Sequence, residues 1–162
     1  MASTITSATM TVTITEKINL HGKDQGSVNT LSIGSIKDIF KRIVTIAADD
    51  DATVLVFKST NAISDGALDK ENVKYIRVTN LDDTNSVNLS LQLDSDENNS
   101  AADETCTILL EAGRSFVMGT PDGGMHVDDD AATIITALTD LESIIVDPGA
   151  NVGTVEIFVA SA

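Results

Sequence analysis

The sequence predicts an all-β fold: a single-domain antiparallel β-sandwich, jelly-roll-like, with at most one or two short helices. Three observations carry this. Aliphatic and β-branched residues alternate with polar ones at period two in several separate segments. Turn-forming clusters divide those segments at short intervals. A chain of 162 residues is long enough to bury one self-sufficient core.

Met10-Thr11-Val12-Thr13-Ile14-Thr15 is the clearest strand, with Met10, Val12 and Ile14 expected to face a core and the threonines solvent. The polar, uncharged residues 1–9 before it are expected to be a flexible segment, leaving 10–162 as the domain. Further strands are expected over Val28 to Ile33, Thr53 to Phe57, Val73 to Thr79, Thr105 to Leu110, Ser115 to Met118 and Leu141 to Val146. Alternation is again plain in Val87, Leu89, Leu91 and Leu93, and in Val155, Ile157 and Val159. The dividing turns are His21 to Gly26, Asn80 to Asn85, Asp94 to Asn99 and Pro121 to Gly124.

Two segments are ambiguous. In Ser35 to Val44, Ile36, Ile39, Phe40 and Ile43 match a helical face, whereas Phe40, Val44 and Ile46 match a strand that carries Arg42 on the same face; the strand is preferred. Ala131 to Leu141 suits a short helix behind three aspartates.

Net charge is −15, and it is unevenly spread: residues 1–77 carry nine basic and nine acidic groups, while residues 78–162 carry Arg114 against sixteen acids. Such a surface repels phosphate, so neither nucleic acid nor an anionic membrane is an expected partner. The first residues lack the basic and apolar stretches of a leader, and no eighteen apolar residues run together, so neither export by a cleavable leader nor a membrane span is expected. Cys106 is the single cysteine; within the run Thr105 to Leu110 it reads as a reduced, buried thiol, consistent with assembly in a cytosol. Five aromatic rings and no tryptophan leave few stacking platforms for sugars or bases.

Little chemistry is visible, and no enzyme is expected. His21 and His126 lack a nucleophile elbow, and the glycines fit neither phosphate-binding pattern. The run from Asp94 begins like a calcium loop, but Asn99 replaces the turn glycine and Thr105 the bidentate glutamate. Asp49-Asp50-Asp51 and Asp128-Asp129-Asp130, the latter with His126, are weak metal candidates whose plainer reading is a solvated loop tip. No cofactor is expected. A ligand-binding barrel and an acid-pair glycosidase remain formally open, since carboxylates alone do not reveal their pKa values.

The segments from Glu16 to Ile33, Val73 to Leu93 and Thr107 to Gly119, with the closing strand Gly153 to Ala160, resemble the small β-rich structural proteins of tailed-phage virions, especially phages of marine bacteria and cyanobacteria. The shared pattern is a strand ending in Arg77-Val78-Thr79-Asn80-Leu81, a polar turn, an alternating strand, then an apolar strand followed by Gly113-Arg114-Ser115-Phe116. The resemblance implies a capsid decoration or cement protein located on the virion. It further implies a homo-oligomer, with a trimer favoured, that binds the major capsid protein or another virion protein. A tail or fibre subunit is the nearer alternative, and a non-viral acidic adhesion or ligand-binding module the further one. Docking candidates within that reading are Ala2 to Thr9 and the loop His21 to Gly26.

Overall fold

The computed structural model describes residues 6–58, 66–93, 104–119 and 140–162. Over these residues the chain is built from strands and contains no helix. The order is β1 (Ala8–Thr15), β2 (Asn19–Leu20), β3 (Lys23–Asp24), β4 (Val28–Ile36), β5 (Asp38–Ile46), β6 (Ala52–Lys58), β7 (Leu68–Asp69), β8 (Val73–Asn80), β9 (Val87–Leu93), β10 (Glu104–Leu110), β11 (Ser115–Met118), β12 (Leu141–Asp147) and β13 (Gly153–Ser161). Each strand expected from alternation is present. The ambiguous segment 35–44 is divided between β4 and β5, so its strand reading holds. The helix suggested for 131–141 falls outside the described residues except at its end, where Leu141 opens β12.

Eight strands form the sandwich. One sheet runs β10-β9-β12-β6, with the short β7 added in parallel at its edge, and the other runs β11-β8-β13-β5. Successive strands pair as nested antiparallel partners: β5 with β13, β6 with β12, β8 with β11, and β9 with β10. A long ribbon folded at β9–β10 and rolled on itself gives this pattern, and rolling adds the contacts β13–β8 and β12–β9. This is a jelly roll, which buries both inner sheet faces against each other.

Period-two alternation fills the interior. Ile76 and Val78 of β8 and Val155, Ile157 and Val159 of β13 meet Leu89 and Leu91 of β9 and Ile144 and Val146 of β12, all at most 1% exposed. Each such side chain contributes about 1.5–3 kcal/mol by leaving water. Asn80, fully buried, closes one end: its amide nitrogen donates to the carbonyls of Asn85 (2.8 Å) and Leu110 (3.1 Å), and its oxygen accepts from the Asp82 amide (3.0 Å). Asp82 then accepts from the amides of Thr84 and Asn85, fixing the β8–β9 turn. These backbone bonds, Asn85's foremost, hold the Asp82 carboxyl below its ordinary pKa.

Cys106 departs from expectation. It is exposed, although it shares the face of β10 that carries Ile108 and Leu110. Burial along that face falls from Leu110 through Ile108 to Cys106, so the thiol stands at the open end of the strand, beyond the packed interior.

Candidate functional site

The chain before the sandwich forms a feature of its own. β1 pairs with β4, and β2 with β3, in one register that runs without slip from Met10↔Ile33 to Leu20↔Lys23. Between the two ladders the Glu16 amide donates to the Ser27 carbonyl (2.8 Å) and the Gln25 amide to that of Ile18 (2.9 Å). The result is a continuous two-stranded arm closed by a two-residue turn at His21 and Gly22, both at positive φ (52° and 76°). Such a turn needs left-handed backbone at both positions, which glycine adopts freely and histidine tolerates better than branched residues. Gly26 answers a different need: a methyl group there would strike the Glu16 carbonyl oxygen.

The base of the arm is packed. Met10, Val12 and Ile33 join Ile36 over the outer face of the β11-β8-β13-β5 sheet, against Tyr75, Ala160 and Phe158. A left-handed Ser35 and the bond from the Lys37 amide to the Ser161 carbonyl (2.9 Å) turn the chain from the arm into β5. Further out, Leu31 lies so near Gly119 that a β-carbon there would sit 3.1 Å from its methyl. A half-open, mainly apolar groove of about 340 Å³ runs beneath the arm, between Val12, Ile14 and Leu31 above and Tyr75 and Val117 below.

Beyond this point the arm leaves the body. From residue 13 to residue 30 every position except Gly26 is exposed. Past the groove, six residues per strand, 15–20 and 23–28, at about 3.3 Å each make an overhang of roughly 20 Å. Alternation places Ile14, Ile18 and Leu20 on the face whose inner part, Met10 and Val12, is already packed, yet these three are 52–53% exposed. The sequence expectation that Ile14 faces a core is therefore corrected: the strand exists, but Ile14 stands over the open groove above Tyr75 and Val117 and remains half exposed. The expected docking loop His21 to Gly26 is the tip of the arm. Of the candidate segment Ala2 to Thr9, residues 8 and 9 already belong to β1 and the first four lie outside the described residues.

The sheet face beside the arm carries a charged ladder. Glu156 on β13 accepts from Arg77 on β8 and lies 3.0 Å from the Lys41 ammonium on β5. Arg77 and Lys41, in that order, hold its carboxyl below the ordinary range. Arg77 also donates to Thr79 and stands 5.9 Å from the Phe158 ring centre. With each charge answered across three adjacent strands, the ladder is an inter-strand clamp.

On the opposite outer face, Asp49, Asp50, Asp51 and Asp147 surround a shallow depression floored by Ser90, Gln92 and Ile145. Among the described residues no group of three or more histidine, cysteine or carboxylate side chains is arranged to hold a metal ion. Asp128, Asp129, Asp130 and His126 lie outside the described residues. His21 sits on the arm tip, away from the four aspartates.

No family model matches the chain, and no curated protein matches it. Among solved structures it is similar to a chain described as "Bacillus endospore appendages form a novel family of disulfide-linked pili", with 16% identity and a TM-score of 0.37 over 76% of this chain and 85% of that one. A similarity of that size carries no argument.

Proposed function

We propose that this chain is a structural protein of a tailed-phage virion, a capsid decoration or cement protein that stabilises the shell by docking on it. The observation that supports docking over turnover is the arm: an ordered two-stranded ribbon projecting from a well-packed body, on whose outer half Ile14, Ile18, Leu20 and Val28 stand uncovered. Large aliphatic side chains held out on a projecting hairpin are surface that a partner can bury. The specifically viral part of the reading rests on the sequence resemblance. The jelly roll is compatible with it, but the same architecture serves shells, lectins and cupins and so does not choose among them.

The test is co-sedimentation of the purified chain with expanded heads of a tailed phage that lack it, followed by heating of the loaded heads. Saturable binding at a fixed ratio to the major capsid protein, with heads that resist heat better, is the expected result. Absence of binding to heads, tails and fibres alike overturns the viral reading and leaves the adhesion-module alternative.

A further inference from the structure

We infer that the arm exchanges between copies of this chain: it lifts at Ser35, and its base seats on the Tyr75, Phe158 and Ala160 patch of a second molecule, which returns its own arm. Such exchange follows from the way the arm is attached and is independent of the viral reading above.

Seat and occupant are already matched within one molecule. Met10, Val12 and Ile33 pack with Ile36 on Tyr75, Phe158 and Ala160, and an identical arm meets an identical patch through the same contacts. Apolar contact alone holds the arm down. Among the described residues the hydrogen bonds of residues 8–34 stay within the arm and its joint at Ile36, and no ion pair joins the arm to the sandwich. Beyond Val12 even the apolar contact thins, because the groove opens beneath Ile14 and Leu31.

The pivot is a strained bulge. Ala8 pairs with Ile36 and Met10 with Ile33, so β4 carries one extra residue between those pairs. There Ser35 sits at φ 61°, a left-handed position of the kind that bulges commonly give to glycine. Directly after it the Lys37 amide bonds the Ser161 carbonyl, which fixes the chain to β13 and confines the turn to Gly34 and Ser35. Extending Ser35 relieves its backbone and lets β4 run straight into β5, but carries the arm off its own seat. A second copy's arm restores the cover. The two chains then cross beside β5, where Ile39 and Ile43, on the face that holds the seat, are 46% and 58% exposed and become covered.

Charge sets the salt dependence. Residues 1–36 sum to zero and residues 37–162 carry the whole −15, so an arm reaches a second body without repulsion while the two bodies oppose each other.

Light scattering of the full chain should show a dimer fraction that rises with concentration and with salt, the latter because screening relieves the repulsion between bodies. Once formed, the dimer should persist on dilution, since both arms must lift before the copies part. Ser35→Gly should lower the dimerisation constant at least about tenfold, and Ser35→Val should raise it by roughly as much, because the left-handed position suits glycine and strains a branched residue, twice per dimer. To identify the contact, two Cys106→Ser chains are concentrated together, one with Ile14→Cys and the other with Val117→Cys, positions that face each other across the groove. A short thiol crosslinker should join the two chains in proportion to the dimer. A chain that stays monomeric at its solubility limit overturns the inference, as does a dimer that lacks this crosslink. A dimerisation constant that Ser35→Gly and Ser35→Val leave unchanged, or move in the same direction, overturns the pivot and with it the exchange.

Discussion

Arg77 on β8 donates from its guanidinium to Glu156 on the adjacent strand β13, and the carboxylate is only 16% exposed. Together with Lys41 the pair joins the three strands β8, β13 and β5 on the face that carries the arm. Because Arg77 and then Lys41 lower the Glu156 pKa on folding, the folded state binds fewer protons there than the unfolded chain. That contribution is fully present above the unfolded value, 4.5, and disappears as pH falls through the folded one. Asp82 adds to the same trend with an ordinary value of 3.8. The thermal midpoint should fall on acidification below about pH 4.5, and Glu156→Gln should flatten that fall while lowering the midpoint at neutral pH. An identical acid slope in the variant would show that the ladder does not couple to folding.

Leu89 and Ile14 are both aliphatic residues in alternating strands, yet they differ in what covers them. Leu89 is fully buried between the sheets, and Leu89→Ala should cost about 2–5 kcal/mol. Ile14 is half exposed on the arm, and Ile14→Ala should change stability by no more than about 0.5 kcal/mol. Urea unfolding of the two variants checks the contrast. Equal losses would mean that the arm is part of the folding core.

That contrast also marks what the sequence discloses. Strand positions are legible because period-two alternation records, in residue type alone, which face leaves water; Val87 to Leu93 and Val155 to Val159 are found for this reason. The nesting of β5 with β13 and β6 with β12 is not local in sequence, and no spacing announces it. Met10-Val12-Ile14 alternates as cleanly as any core strand, so the pattern itself does not reveal that the cover ends after Val12. A usable signal lies in the His21-Gly22 turn: counted outward from it, Met10 and Val12 fall opposite Ile33 and Leu31, which marks one long hairpin rather than two separate strands. For Cys106 the apolar run Thr105 to Leu110 is read correctly as a strand, but a strand's face says nothing about where along its length the opposing sheet stops.

Asn80 joins three chain segments through one buried side chain. Asn80→Ala removes all three hydrogen bonds and leaves the Leu110 carbonyl short of a donor inside the protein. The expected loss is about 1–3 kcal/mol in chemical denaturation. Asn80→Asp should be at least as damaging, because it replaces a donor with an acceptor facing two carbonyl oxygens. A neutral result for either variant would mean that the turn holds without this anchor.

Cys106 offers a direct check on the end of the sandwich. An exposed thiol on native protein should react with a disulfide reagent at a rate set by its thiolate fraction, without prior unfolding. One equivalent released under native conditions is the expected outcome. Release only in denaturant would place the thiol inside the core.

Val12 lies where the arm meets the body, half-buried with Met10 and Ile33 over Tyr75 and Ala160. Read as a core strand, the segment predicts that Val12→Asp unfolds the domain. The structure predicts less: a carboxylate under the arm costs its desolvation only while the arm stays down, and lifting the arm returns it to water. The sandwich has a separate core, closed without Val12. Amide hydrogen exchange distinguishes the two outcomes. Val12→Asp should remove protection from residues 10–14 and 29–33 while β9, β12 and β13 keep theirs. Loss of protection throughout would instead join the arm and the sandwich in one cooperative unit.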